Sequence, residues 1–559
     1  MLRISRRRFL QVGAVSACGL AFGASTSWAS SKARVPWPDQ LDPFCNLAID
    51  HQFSDHDLGL SAGYSRCVVK LATPDREAWQ QCLRPGDEIQ SWLKTDAHAW
   101  ATNRIQPSTL QCWRDQGLPT MVLDHVWGAP WSQGGASLSV GWNEGESVQE
   151  SHLWHPMGRK SRRKFLLVDH GFPLELLRDL KRPFIHRASR SSTRPLTSMP
   201  MHSHGAQVLG LLLDAGAQSE GGLLLYELSD FILDTMPRGS LWAEWIDAVC
   251  WAISQCEPHD HLVVLLSIVC TDGDRHAQSF VSQSVRALIE HGRRHQIYIS
   301  WVFAAGNSQT EAQNLRFHLT PGHKAMWNWR LPPHHIRSFF MECWHDADLG
   351  LPEFRFKAPG ALEWSSHDAL TRADRHHPTS GRVQTLFRLP PTWSLEPTTS
   401  LAPPGDWVFE CASERAGKLD IHLTMVSATS DSWRKSRLLA HPESDAPAVD
   451  PITLSGLVPW SCGAWAAMTL KPDSSQPVQI RPAQDQLAPY CGRLPTDMKN
   501  DPVQLLGVRL SGSLLHPGAR VISRQGHRMH RAVGTSMAVP MAVVHLPPGK
   551  NLEKHIPKD

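Results

Sequence analysis

The chain contains the three residue types needed for nucleophilic attack on a carbonyl, each within a short motif. Asp169 lies in VDHG, His204 opens HGAQVLG, and Ser536 lies in GTSMAVP. A serine hydroxyl is a weak nucleophile at neutral pH and needs a neighbouring base, which a histidine supplies. A carboxylate holds the imidazole in the required tautomer and stabilises its charged form. These residues would therefore perform acyl transfer through an acyl-serine intermediate.

A fourth motif, AAGN at residues 304–307, supplies a donor for the oxyanion. The side-chain amide of Asn307 and the backbone N–H of Ser536 would bind the charge that develops on the attacked carbonyl oxygen. Small apolar residues follow Ser536, as expected at a helix start, where free backbone N–H groups favour an anion. The four motifs thus contain every group that this chemistry requires.

Taken together, in the chain order Asp, His, Ser, the motifs resemble those of the subtilisin-like serine peptidases. The resemblance implies that Asp169, His204 and Ser536 form a catalytic triad and that Asn307 lines the oxyanion hole. It also implies protein or peptide substrates and no cofactor. Structural calcium would be compatible with the resemblance, but no motif in the sequence indicates it.

The substrate-binding residues are implied by the same resemblance, which covers residues of about 160–308 and 450–546. Ser267, Ile268 and Val269 stand where the family has its substrate-binding edge strand, and with Gly306 they would pair with the substrate backbone as an added strand. The family usually has Gly at the position of Val269. A side chain there would narrow the primary specificity pocket.

Other residues compete for these roles. Asp124-His125 also follows an apolar run and is a rival to Asp169. Asp169 is favoured because Gly171 follows it and because it lies 204 − 169 = 35 residues before His204, rather than 204 − 124 = 80. No metal site is expected, because adjacent histidines in a strand point to opposite faces and a calcium loop needs several spaced oxygens. The weak metal candidates are His259-Asp260-His261, Asp272-Gly273-Asp274, His334-His335 and His376-His377.

The elements that position the motifs alternate between strand and helix. Apolar runs of strand length indicate buried parallel strands, and apolar residues at helical spacing lie between them. This order is typical of a doubly wound, mostly parallel α/β sheet of the subtilisin type. The predicted elements are strand 165–168, helix 240–256, strand 262–269, helix 280–291 and strand 297–304.

Composition divides the chain into five segments. Residues 30–158 hold nine of the 23 Trp and form an N-terminal domain, either an inhibitory propeptide, as the resemblance implies, or an accessory module. Prolines cluster after residue 390, and residues 418–425 alternate apolar with polar, which indicates a half-exposed strand in an inserted antiparallel β module. The segments are 1–29 (export signal), 30–158, 159–309 (catalytic domain, first part), 310–450 (β module) and 451–559 (catalytic domain, second part).

The N-terminus resembles a twin-arginine export signal. SRRRFL precedes an uncharged apolar stretch, and cleavage after Ala29 would release a periplasmic or extracellular protein. A second interpretation is a lipobox, VSAC, in which lipidation of Cys18 would anchor the protein to a membrane. The difference 56 − 53 = +3 in formal charge is too small to predict nucleic-acid binding.

Two function classes follow. The first is an exported serine endopeptidase, with the N-terminal domain as its own inhibitor. The second is a catalytically idle, subtilase-like binding protein that uses the Trp-rich region for glycans or protein partners. An esterase is disfavoured, because Ser536 does not lie in the Gly-x-Ser-x-Gly elbow of those enzymes.

Overall fold

The computed structural model describes residues 65–128, 163–304 and 312–451, each with gaps, and short pieces of residues 469–540. Parallel and antiparallel sheets occur together in these residues, which confirms a mixed α/β chain. Among the helices of these residues, none is both long enough and apolar enough to cross a membrane. The export signal and Cys18 lie outside the described residues.

Residues 65–128, in the part that the structure describes, form an antiparallel sheet with a helix beside it; we call this sheet the N-terminal sheet. Its elements are β1 (Ser65–Leu71), α1 (Arg76–Gln81), β2 (Glu88–Lys94), β3 (Ala99–Ile105), β4 (Thr120–Leu123) and the separate β5 (Val126–Gly128). The strand order is β2-β3-β1-β4. The side chain of Asp75 caps α1 by accepting two backbone N–H groups. Trp79 of α1 packs on Trp113, with ring centroids 4.7 Å apart.

A parallel five-stranded sheet follows. The elements of this part are β6 (Arg163–Asp169), β7 (Phe184–Ala188), α2 (His204–Asp214), β8 (Gly221–Glu227), β9 (Gly239–Leu241), α3 (Trp242–Ser254), β10 (His261–Leu266), α4 (Phe280–Arg294) and β11 (Tyr298–Phe303). The strand order is β11-β10-β6-β8-β7, and every neighbouring pair is parallel. The apolar run FLLV in β6 is buried because helices α2 and α3 pack against this central strand.

The N-terminal sheet and the parallel sheet share one hydrophobic core. One face of the parallel sheet packs against α3 and α4, and Val68, Leu93 and Trp100 of the N-terminal sheet belong to the same buried cluster. Lys70 Nζ also donates to Gln283 Oε1 of α4 at 3.2 Å. We call this cluster the shared core. It attaches the N-terminal sheet to the outer side of α3 and α4.

The β module consists of two antiparallel sheets that enclose a second core. Its strands are β12 (Asn314–Leu319), β13 (Lys324–Leu331), β14 (Phe339–Asp346), β15 (Glu353–Lys357), β16 (Ser365–Ser366), β17 (Thr371–His376), β18 (Arg382–Leu389), β19 (Gly405–Ala412), β20 (Gly417–Thr424), β21 (Arg437–Ala440) and β22 (Ala448–Val449). The orders are β17-β18-β14-β20-β12-β22 and β16-β15-β19-β13-β21. Aromatic rings fill the core, for example Trp327 stacked on Phe409 at 5.6 Å.

The polar side of β20 is buried, which differs from the expectation of a half-exposed strand. Asp420 and His422 are only 4% and 2% exposed. Asp420 forms ion pairs with Arg316 and Arg382, the latter at 3.0 Å. Burial alone would raise the pKa of Asp420, but the two arginines outweigh it and hold that pKa below its ordinary value. The alternating pattern predicted that Asp420 faces solvent; in the structure it is buried, and arginines rather than water balance its charge.

Four short strands lie in the C-terminal part. They are β23 (Thr469–Leu470), β24 (Ile480–Arg481), β25 (Ala519–Ile522) and β26 (Met529–Ala532). They form two antiparallel pairs, β23 with β24 and β25 with β26. β25 packs against α2, so the C-terminal part of the chain returns to the parallel sheet.

Candidate active site

Asp169 is the last residue of the central strand β6 and is fully buried, at 0% exposure. Parallel strands all end at the same edge of a sheet, and α/β sheets bind ligands in crevices at that carboxyl edge. A carboxylate without solvent needs hydrogen-bond donors or a cation nearby. The position of Asp169 therefore requires a partner at this edge.

His204 provides that partner from the first turn of α2. Its Nδ1 lies 2.7 Å from Asp169 Oδ1, and its side chain is 19% exposed. An ionised carboxylate only accepts hydrogen bonds, so the ring nitrogen that faces it carries the proton. In the neutral imidazole this leaves Nε2 as the acceptor. The pair thus presents a base that is oriented by a buried carboxylate.

Ser536 reaches the same edge from the far C-terminal part of the chain. It is 5% exposed, and its Oγ donates to the backbone oxygen of Ser267 at 2.7 Å. Ser267 Oγ in turn donates to the backbone oxygen of Ser536 at 3.3 Å. Two hydrogen bonds therefore attach the nucleophile candidate to the residue that follows β10.

The two hydrogen-bonded pairs lie on neighbouring strands. β6 and β10 are in parallel register, with Val168 opposite Leu266, so Asp169 and Ser267 follow at the same level. Neighbouring strands are about 4.8 Å apart. The arrangement brings an acid, a base and a serine hydroxyl to one edge of the sheet.

Several residues predicted from the sequence cannot be placed. Ile268, Val269, Gly306 and Asn307 lie outside the described residues, as does the rival Asp124-His125. Ser267 is therefore the only predicted substrate-binding residue with a described position.

The histidine pairs have other surroundings. His261 Nε2 lies 2.8 Å from Ser300 Oγ, and burial, with Arg163 adding to it, lowers the pKa of His261 to about 4. His259 lies in a turn with a positive φ of 71°. Within the described part of the chain, no group of three or more His, Cys, Asp or Glu side chains has the arrangement of a metal site.

Sequence reasoning missed a second acid–imidazole pair at this edge. Glu227 is the last residue of β8, and His186 Nε2 of β7 lies 3.0 Å from Glu227 Oε2. One signal was present, because Glu227 follows an apolar run, LLLY, as Asp169 follows FLLV. His186 carried no such signal, since the short strand FIHRA has no long apolar run.

The solved structures that resemble this chain include two bacterial serine proteases. The CspB protease of Clostridium perfringens matches with a TM-score of 0.45 and 13% identity, covering 69% of this chain and 80% of that one. The epidermin leader peptide processing serine protease (EpiP) of Staphylococcus aureus matches with a TM-score of 0.26 and 10% identity, covering 44% of this chain and 61% of that one. No protein-family model and no curated protein matches the sequence. At these scores, the two similarities establish neither the fold nor the activity of this chain.

Proposed function

We propose that this chain is a serine endopeptidase of the subtilisin-like type, with Asp169, His204 and Ser536 as its triad. The observation that carries the proposal is the 2.7 Å hydrogen bond between Asp169 and His204 at the carboxyl edge of a parallel sheet. Ser536 lies at the same edge, attached to Ser267 beside the next strand. A doubly wound fold, split by the β module, accounts for the order of these elements along the chain.

The reaction begins with the transfer of the Ser536 hydroxyl proton to His204 Nε2 while Ser536 Oγ attacks the substrate carbonyl carbon. Asp169 stabilises the imidazolium that forms and is not itself protonated. His204 then gives the proton to the leaving amine, and the C–N bond breaks. Water, activated by the same histidine, hydrolyses the acyl-enzyme and regenerates Ser536.

Substrate would bind as an added strand beside the residues that follow β10. Ser267, Ile268 and Val269 would supply backbone groups to it, together with Gly306. Asn307 and the N–H of Ser536 would donate to the oxyanion, and loss of one such donor typically costs about 10²–10³ in turnover. Val269 would narrow the pocket for the residue before the scissile bond.

The N-terminal domain would act as a partial inhibitor that remains docked and lowers the activity without abolishing it. Two hydroxyls of its sheet, those of Ser91 and Thr102, donate to Asp247 Oδ1 of α3 at 2.5 and 2.7 Å. Its strand β5 pairs antiparallel with β9, which lies between β8 and α3. Helix α3 follows β9 directly and runs back from the carboxyl edge of the sheet, so β5 would lie at the same edge as Asp169. A segment held there would compete with substrate.

We further propose that the protein is exported from the cytoplasm. The arginine-rich N-terminus would direct the chain through a twin-arginine pathway to the periplasm or beyond, and the lipobox interpretation would tether it to a membrane through Cys18. The intact mass of the protein purified from its native envelope tests both: cleavage after Ala29 and a lipidated Cys18 give different masses.

Active-site labelling tests the peptidase proposal. Wild-type protein should react with a fluorophosphonate probe and hydrolyse peptides, and Ser536→Ala should do neither. Ser436→Ala is a matched control, because Ser436 is also buried and accepts a hydrogen bond, from Trp329 Nε1 at 2.7 Å, but lies in the β module. A folded wild type that is not labelled would favour the idle binding protein. Labelling that persists in Ser536→Ala would exclude this serine as the nucleophile.

A further inference from the structure

A cavity of about 220 Å³ lies where the N-terminal sheet meets the parallel sheet and helix α3. We call it the junction cavity. Strand β2 lines it with Gln90, Ser91 and Trp92, and residues of β7, β8 and α3 form its other walls. None of its lining residues belongs to the proposed triad. At about 30 Å³ per molecule of liquid water, the volume is that of roughly seven waters, so an occupant must be small.

A β-bulge in β2 shapes this cavity. Side chains alternate along a regular strand, so consecutive residues point to opposite faces. Ile89 of β2 lies opposite Asn103 of β3. Thr102, the neighbouring residue of β3, lies opposite Ser91, which leaves Gln90 as an extra residue of β2. Bulges re-aim side chains and are common beside functional sites. The bulge therefore explains how three consecutive residues line one cavity.

Gln90 brings a hydrogen-bond acceptor to the cavity. Its Oε1 is buried, and no donor of the described residues reaches it. Buried acceptors in folded proteins nearly always have a donor, because an acceptor without one destabilises the fold. The next residue, Ser91, donates its hydroxyl to Asp247 Oδ1 at 2.5 Å, so a negative charge lies beside Gln90. This part of the cavity favours an N–H donor, and most of all a positively charged one.

Arg187 of β7 brings a positive charge to the cavity. Its guanidinium lies over the ring of Trp251 at 5.9 Å, and among the described residues it forms no ion pair. A guanidinium presents a planar fork of donors that matches a carboxylate. Of the lining residues, only Arg187 and Asp247 are charged, because burial raises the pKa of the Cys250 thiol and keeps it neutral. This wall therefore favours a carboxylate.

The remaining walls are aromatic. Tyr226 and Trp251 pack together with ring centroids 5.9 Å apart and are only 2% and 9% exposed. Trp92 adds a third ring from the N-terminal sheet. Small-molecule sites typically combine such apolar walls with a few polar groups that orient the ligand. The junction cavity thus has groups for a carboxylate, an N–H donor and a small apolar side chain.

We propose that the junction cavity binds the α-carboxylate end of a small apolar amino acid, either free or as the last residue of a peptide. The carboxylate pairs with Arg187, and the α-nitrogen donates to Gln90 Oε1. The apolar side chain packs against Trp92 and Trp251. Such a ligand contacts the N-terminal sheet and the parallel sheet at once. The proposal is independent of the peptidase function, because it involves no residue of the triad.

Isothermal titration calorimetry of the full chain tests the inference with three probes: L-leucine, glycyl-L-leucine and L-leucinamide. L-leucinamide keeps the ammonium group and the side chain but lacks the carboxylate, so it should bind at least about tenfold more weakly than L-leucine. Binding of L-leucine alone identifies a free amino acid, and tighter binding of glycyl-L-leucine identifies a peptide end. Equal binding of L-leucine and L-leucinamide, or no binding of either carboxylate, would overturn the inference.

Two variants locate the binding in the cavity. Arg187→Gln should weaken L-leucine binding by about tenfold or more, because it removes the charge that pairs with the carboxylate. Gln90→Met keeps the length of the side chain and removes its acceptor. It should weaken binding severalfold without lowering the melting temperature, whereas loss of a merely structural amide would lower it. Wild-type affinity in either variant would contradict the proposed contacts.

Arg355→Gln is the matched control for Arg187→Gln. Arg355 also lies over a tryptophan ring, 5.8 Å from the centroid of Trp364, but it belongs to the β module. Its affinity for L-leucine should equal that of the wild type. An equal loss of affinity in Arg355→Gln and Arg187→Gln would overturn the assignment to the junction cavity. A wild type that binds L-leucine but hydrolyses no peptide would overturn the peptidase proposal and leave this one intact.

Discussion

Replacement of Asp169 by Asn is the most direct quantitative test of the proposed mechanism. The change keeps the shape of a fully buried side chain and removes its charge. In the transition state, the carboxylate faces an imidazolium across the 2.7 Å contact of Oδ1 with Nδ1. With charge centres about 4 Å apart and an effective dielectric constant of about 20, their attraction is about 4 kcal/mol. Since about 1.36 kcal/mol is tenfold in rate, kcat should fall by about 10³.

The loss should be larger than electrostatics alone predicts, because an Asn amide can also donate to Nδ1 and favour the wrong tautomer of His204. The assay is steady-state hydrolysis of a chromogenic peptide, with thermal melting to show that the variant is folded. Asp260→Asn, at the opposite end of the sheet, should retain activity within about twofold, since about 20 Å of strand separates it from the site. A folded Asp169→Asn protein that keeps a tenth of wild-type kcat would refute the reasoning.

Two further predictions concern stability and docking. Asp420→Asn should lower the free energy of unfolding by about 3–5 kcal/mol, because it replaces the buried carboxylate that Arg316 and Arg382 share by a neutral amide, while Arg382 keeps its ion pair with Asp346. The melting temperature should fall by roughly 10 °C, and a decrease of less than about 3 °C would contradict the ion-pair argument. The two arginines hold the pKa of Asp420 below its ordinary value, so the ionised carboxylate stabilises the folded protein fully above about pH 4 and progressively less as the pH falls further. The wild type should therefore lose more stability in acid than Asp420→Asn does. Asp247→Ala removes the acceptor of two hydroxyls of the N-terminal sheet, at about 1 kcal/mol each. Limited proteolysis should then cut the N-terminal domain faster and peptidase activity should rise; unchanged cleavage would show that these bonds do not hold the domain.

Buried parallel strands were the most predictable part of the fold. The apolar runs before Asp169 and after His261 are long and uninterrupted, and a strand covered on both faces requires such a run. Helix α4 continues to Arg294, beyond the predicted end at residue 291, because basic residues in its last turn extend it favourably. The β module was less predictable: Asp420 alternates with apolar neighbours as a surface residue would, although arginines from two other strands bury it.

At the site, sequence motifs identify residue types but not their neighbours in space. Asp169 and His204 each lie in a motif, so the types needed for a triad were readable before their contact was seen. The contact between Glu227 and His186 could not be predicted from the sequence, because it depends on the register of β7 and β8, which only the folded sheet defines. A single Glu after an apolar run is otherwise an ordinary strand end.

The hydrogen bond between Ser536 and Ser267 joins residues 269 positions apart, and this separation has a consequence for synthesis. Translation runs from the N-terminus at about 5–20 residues per second, so Ser536 is added roughly 15–50 s after Ser267. Closing so long a loop is also entropically costly, which places this contact late in folding. Under the proposed mechanism, a chain still on the ribosome holds its acid and base but no nucleophile. Prematurely terminated chains would be equally inert, and the cell that makes the protein is spared its activity until the last part of the chain exists.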